Sequence, residues 1–235
     1  MKEELSDHRL SIARLILVPG VITLLVTAVR LVGELRQWSA TWFSTRTQGV
    51  VPSGWSWVIG ITWLALPFGI YFALRLAGAG RGPVSLGKAL LCAVLGLIVV
   101  YLGLFVLSAK IPLSFPSILL YIWAVMAAGA ALQYFAWPAL FKTLLAYGLA
   151  ARLPVVLVML LAMRGSWGTH YDYVGMPAEF QMNLLPRFFW LAFFPQLIFW
   201  VGFTILAGSF AGLLATSIFR KRMQAAPVVE AESGT

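Results

Sequence analysis

Residues 89–109 hold no charged side chain, and Lys88 and Lys110 bracket them. A helix needs about 20 mostly apolar residues to cross the hydrocarbon of a bilayer. Five further stretches come close to the same specification, at about 11–33, 55–75, 115–137, 142–163 and 190–217. The last lies in a charge-free run, 188–219, that is longer than one straight span requires. Tilt, or an interfacial start before Pro195, would absorb the excess.

Composition agrees. The chain is 61% hydrophobic and 11% charged, with a mean hydropathy of +0.90. A soluble domain carries about 25% charged residues. Soluble, disordered, collagen-like and disulfide-framework classes are excluded, and the single cysteine, Cys92, cannot form an intrachain bridge. The apolar runs are continuous rather than alternating, which favours helices over a barrel. The expected fold is all-α: a polytopic bundle of about six membrane helices in one domain over residues 1–222. Residues 223–235 lack an apolar pattern and read as a disordered tail. The first run is taken as a retained span rather than a cleaved leader. Two other counts stay open: five spans with 142–163 re-entrant, or the last run split into a hairpin.

Basic residues orient the bundle. Lys2, Arg9, Arg14, Arg75, Arg81, Lys88, Lys142, Arg220, Lys221 and Arg222 fall on one side; Arg30, Arg36, Arg46, Lys110, Arg164 and Arg187 fall on the other. The richer side is expected to be cytoplasmic, with both termini inside and the chain in a plasma (inner) membrane. The formal net charge of +9 then points to anionic headgroups rather than nucleic acid, because the cations sit at span ends. Trp55, Trp57, Trp63, Trp123, Trp137, Trp167, Trp190 and Trp200 lie toward predicted span ends, the pattern of an interfacial aromatic belt.

Ionisable and polar residues at membrane depth are candidate sites, because the hydrocarbon penalises them. Thr23, Thr27, Arg30 and Glu34 share one narrow helical face, with Arg30 and Glu34 a turn apart. That face reads as a substrate lining or as helix–helix glue. Arg152 falls near the middle of the fifth span, just before Pro154. Gln133 and Gln196 are its nominal polar neighbours. Either Arg152 recognises an anion at mid-membrane, or a break at Pro154 brings it to the cytosolic interface, or a partner subunit faces it. Gly208 and Gly212 form a GxxxG face, and Ala124 and Ala128 a second small-residue face, for contacts inside the chain or in a homo- or hetero-oligomer.

The segment 164–186 is the most polar stretch between spans. His170 and Asp172 would project to one side of an extended backbone, with Tyr173 beside them and Glu179 beyond. Residues 177–186 fit a short interfacial helix. Two histidines in the whole chain, the other being His8, do not supply a zinc cage or a bis-histidine haem. The chain lacks GxxxxGK[ST], HExxH and GxSxG. No cofactor and no metal are expected. Three functions follow in order: a small permease-like protein for a small, possibly anionic, solute; a non-catalytic accessory subunit of a larger membrane complex; and, last, a membrane enzyme built on His170, Asp172 and Tyr173.

Overall fold

The computed structural model describes residues 11–45, 47–48, 51–52, 55–108, 114–172 and 182–225. The fold is all-α. The elements, in order, are α1 (Ile12–Leu35), α2 (Ala65–Gly78), α3 (Leu86–Ser108), α4 (Phe115–Ala136), α5 (Pro138–Gly165) and a composite last span. That span runs through α6 (Leu184–Phe188), two π-helical stretches (Phe189–Phe193 and Pro195–Trp200) and α7 (Val201–Ala225). A 3-10 turn (Thr62–Leu64) leads into α2, another covers His170–Asp172, and two-residue strands Thr47–Gln48 and Val51–Pro52 pair antiparallel.

Among the described residues, α1, α3, α4, α5 and the composite span are long and apolar enough to cross a membrane; Thr62–Gly78 is a shorter apolar helix. The chain is therefore a polytopic membrane helix bundle in shape. Its surface agrees. Leu17, Val18, Leu25, Leu91, Tyr101, Phe105, Leu153 and Leu157 are exposed on helix flanks. Such a surface suits lipid and would be unsustainable in water.

Local chemistry sets the helix ends. The Ser11 side chain accepts from the Arg14 amide at 3.3 Å and caps α1. Trp137 breaks the helix between α4 and α5, and Pro138 opens α5 at a position where its missing N–H is harmless. Ser166, with φ 49°, ends α5 in a left-handed cap.

Several boundaries differ from expectation. Residues 55–61 form turns, so the second span begins at Thr62 rather than residue 55. The fifth span begins at Pro138, not residue 142, and continues through Pro154 without a break. Its 28 residues reach about 42 Å, so it must tilt in a bilayer. The break at Pro154 is overturned, and the helix is long and apolar enough to cross a membrane. The last span starts at Leu184 and extends to Ala225, three residues into the stretch expected to be a tail. Residues 177–181, the first half of the proposed interfacial helix, lie outside the described residues, as do residues 226–235.

Two backbone contacts organise the packing. A Cβ on Gly69 would run into the backbone of Gly208, and one on Gly212 would meet the Ala73 methyl at 2.7 Å and the Gly69 carbonyl at 2.8 Å. The GxxxG face thus seats α2 against α7 within the chain. In the α3–α4 hairpin, Gly96 and Gly129 approach each other's carbonyls; a Cβ on either would lie 2.8 Å from the other's oxygen. Ala124 and Ala128 turn to the exposed side of α4 and make no such approach. Around these contacts Phe72, Leu76, Leu140, Leu144, Tyr147 and Leu213 form the centre of an apolar core. Trp123 and Trp137 are buried rather than interfacial, and the Trp137 indole donates to the Arg81 carbonyl at 2.7 Å. Trp55, Trp57 and Trp63 remain exposed near one end, as a belt requires.

Candidate functional site

In α1 the polar side chains face inward. Leu15, Pro19, Thr23, Thr27, Arg30, Gly33 and Glu34 are buried, while Val21, Leu24, Leu25, Val29 and Val32 are exposed. This reverses the amphipathicity of a helix on a water-soluble core. It follows from replacing water by lipid outside the bundle. The stripe packs against α5, and Thr23, Thr27, Arg30 and Glu34 each make at least one hydrogen bond.

The deeper part centres on Tyr147 and Arg152. Thr23 Oγ1 donates to the Pro19 carbonyl at 2.8 Å. A hydroxyl has one proton, so the 2.9 Å contact between Thr23 and Tyr147 has the phenol as donor. Thr27 returns its hydroxyl to the Thr23 carbonyl at 3.0 Å. Phe68 and Phe72 pack edge-on against Tyr147. Tyr147→Phe removes one buried donor and is expected to lower stability by about 1 kcal/mol. The unfolding midpoint in detergent reads this, and an unchanged midpoint would show that Thr23 does not need the phenol.

Arg152 is buried one turn beyond. Its Nη1 donates to Gln196 Oε1 at 3.2 Å and its Nη2 to Thr62 Oγ1 at 3.4 Å. Its guanidinium carbon lies 4.9 Å from the centroid of the Trp200 ring, a cation–π distance. Gln196 and Trp200 both come from the π-helical stretch at Pro195, whose wide turns bring two side chains four residues apart onto one cation. Gln196 was a candidate partner and sits beside Arg152. Gln133 does not: its amide donates to the Cys92 and Gly129 carbonyls, inside the α3–α4 hairpin.

The second part lies at the other end of the stripe. Arg30 Nε donates to Glu34 Oε1 at 2.9 Å, and Arg30 Nη1 to the Ser56 carbonyl at 2.9 Å. His170 closes on the same carboxylate. Its backbone N–H donates to Glu34 Oε2 at 3.0 Å, and its ring Nδ1 lies 2.6 Å from Oε1 and 2.8 Å from Oε2. A carboxylate can only accept, so Nδ1 carries the proton and donates. The side chains of Arg30 and Glu34 are 5% and 0% exposed, and that of His170 is 19%. Arg30 Nη2 is buried with no hydrogen-bond partner among the described residues.

Electrostatics at His170 follow from this enclosure. Burial of the ring lowers its pKa from the usual imidazole range; the Glu34 hydrogen bond opposes this, and Arg30 adds to the lowering. Tyr171 lies against His170 with ring centroids 3.9 Å apart and the planes tilted by 44°, and is buried among Val155, Met159 and Phe188. Burial pushes its phenol pKa up, and the charges of Arg30, Glu34 and Arg152 all act on it.

Asp172 has a different role from the one the spacing suggested. The backbone at His170–Asp172 is a 3-10 turn rather than extended. Asp172 Oδ2 accepts from the Gly168 amide at 2.7 Å, and Oδ1 from the Thr169 amide and hydroxyl at 2.7 and 2.8 Å. It folds its own turn and does not orient the histidine; Glu34, 136 positions away, does. Tyr173 and Glu179 lie outside the described residues. Among those described, no group of three or more His, Cys, Asp or Glu could hold a metal ion.

Sequence reasoning singled out Arg30, Glu34, Thr23, Thr27, Arg152, Gln196 and His170. It missed Tyr147, Thr62, Ser56 and Trp200. Trp200 had a usable signal, one helical turn from Gln196. Ser56 takes part through its backbone carbonyl and leaves no signal in a sequence. Compared with protein families, with curated proteins and with solved structures, the chain matches none of them.

Proposed function

We propose that the chain is a small permease-like membrane protein for a small anionic solute. The observation that carries this reading is the inward polar stripe of α1, together with an Arg152 on α5 that is buried beside Gln196, inside a bundle whose outer flanks are apolar. Polar groups in a membrane interior incur a penalty and are retained where they do something. The buried polar groups of the two clusters, with one guanidinium in each, are mainly donors. A guanidinium presents a planar fork that matches a carboxylate or phosphate. The wide turns at Pro195 and the prolines inside α1 and α5 suit helices that shift against one another. The basic-residue bias supports an orientation with the termini in the cytoplasm and His170 outside.

The test is flux into liposomes containing the purified full chain. The panel is acetate, lactate, phosphate and chloride, read against empty liposomes. Saturable uptake of at least one anion is expected. Arg152→Gln is expected to lower it by about tenfold or more, equivalent to about 1.4 kcal/mol, with Arg152→Lys intermediate because a point charge replaces the fork. Rates equal to empty liposomes for every anion would remove the reading.

A second reading has its own support. The Ala124 and Ala128 face of α4 is exposed among the described residues, and small faces in membranes commonly receive another helix. An accessory subunit would use it. A defined heteromeric mass in mild detergent, lost on Ala128→Leu, would favour that reading.

A further inference from the structure

The segment after α5 is tied to α1 by one carboxylate. Two donors from His170, the amide and the ring, end on Glu34, which is fully buried and already paired with Arg30. Arg30 and the His170 ring both bond Oε1 of Glu34. Of these three side chains, His170 reaches furthest to the surface. The rest of the turn is self-contained: Asp172 holds the Gly168 and Thr169 amides, and the Asp172 amide returns to the Thr169 carbonyl at 3.3 Å. The turn's own hydrogen bonds do not depend on Glu34, and the packing of Tyr171 on Val155, Met159 and Phe188 is its other tie to the bundle.

We propose that His170 is a proton-operated latch: with a neutral ring it fastens the 166–172 turn to Glu34 and closes that end of the polar interior, and with a proton bound it releases the turn. What the latch closes rests on the permease reading; its release by protons does not.

The groups acting on the ring set the sign. Glu34 and Arg30 face it from α1, and Asp172 and Tyr171 from its own turn. A proton on Nε2 makes a second cation beside Arg30, on a carboxylate that Arg30 already neutralises. It also charges a ring largely withdrawn from water. The attraction of Glu34 and Asp172 works against both effects, and burial outweighs it. The latched ring therefore has a lower proton affinity than a released one, whose ordinary value is 6.5. The latch is at full strength above that value. It weakens as pH falls through it, by up to about tenfold per pH unit until the latched value is reached.

Amide exchange reads the latch directly, because the His170 N–H is one of its donors. The full chain in phosphatidylcholine nanodiscs is followed from about pH 8 to about pH 5, across the range in which a histidine titrates. Rates are corrected for intrinsic pH dependence. Protection at the His170 amide is expected to fall by about tenfold or more on acidification, while α5 stays unchanged. His170→Gln keeps a side-chain donor for Glu34 but binds no proton, and its profile is expected to be flat. Wild-type protection that stays within about twofold, or rises in acid, overturns the proposal. So does pH dependence retained in His170→Gln. A turn that releases in acid in a protein that moves none of the tested anions supports the latch and removes the permease reading.

Discussion

Glu34→Ala is expected to destabilise the protein by about 3–5 kcal/mol, the usual result of removing one partner of a buried ion pair. The residue left behind is Arg30, whose Nη2 is already without a hydrogen bond among the described residues and whose Nε would join it. His170 loses the acceptor for both its ring and its amide. Two helix-distant parts of the chain come apart at once. The measurement is the unfolding transition of the purified chain in detergent. Glu34→Gln keeps an acceptor and should lie between the wild type and alanine. Arg30→Met combined with Glu34→Leu should be less destabilised than Glu34→Ala, because no charge is stranded. A double variant as unstable as the single would show that packing at this position, not charge, is what matters.

Gly69→Ala comes next in size. The added methyl would enter the backbone of Gly208, which cannot change rotamer to make room. Overpacking of this kind typically costs about 1–3 kcal/mol, and the upper end applies because both surfaces are main chain. Gly69→Val should prevent α2 from seating on α7 altogether. The internal control is Gly20→Ala in α1, where a Cβ meets nothing within 4 Å. That change should be neutral, or stabilising by up to about 1 kcal/mol through helix propensity. Thermal midpoints and the yield of monodisperse protein would separate the two sites. Equal behaviour of the two variants would mean that the Gly69–Gly208 approach is not needed for folding.

Much of the architecture was legible because hydrocarbon thickness limits what a span can be. The run 89–109 is bounded by lysines on both sides, and α3 occupies almost the same residues. The second span was harder. Trp55, Trp57 and Val58 are as apolar as the helix that follows, so hydropathy does not separate turns at an interface from helix. Pro154 misled because proline is judged by its effect in water. In α5 the surrounding helices and the lipid leave an intact helix cheaper than an exposed break. The Arg30–Glu34 pair was legible because it is local, one turn within one helix. Its tie to His170 was not, because nothing in the spacing of 34 and 170 marks them as neighbours. Local spacing instead offered Asp172, which the backbone of its own turn had already claimed. The partners of Arg152 show the same limit: Gln196 could be guessed from its rarity in an apolar run, whereas Thr62 depends on where the second span begins.

The buried indole of Trp137 has a consequence for how such a bundle can move. It sits at the corner between α4 and α5 and grips the carbonyl of Arg81, which belongs to the connection between α2 and α3. Four helices therefore converge on one hydrogen bond between an indole and a backbone carbonyl, neither of which titrates. The opposite corner is held by charge and by a histidine. A rearrangement that parts the helices at the histidine has its pivot at the tryptophan, so the bundle would open like a fan and stay shut at the handle.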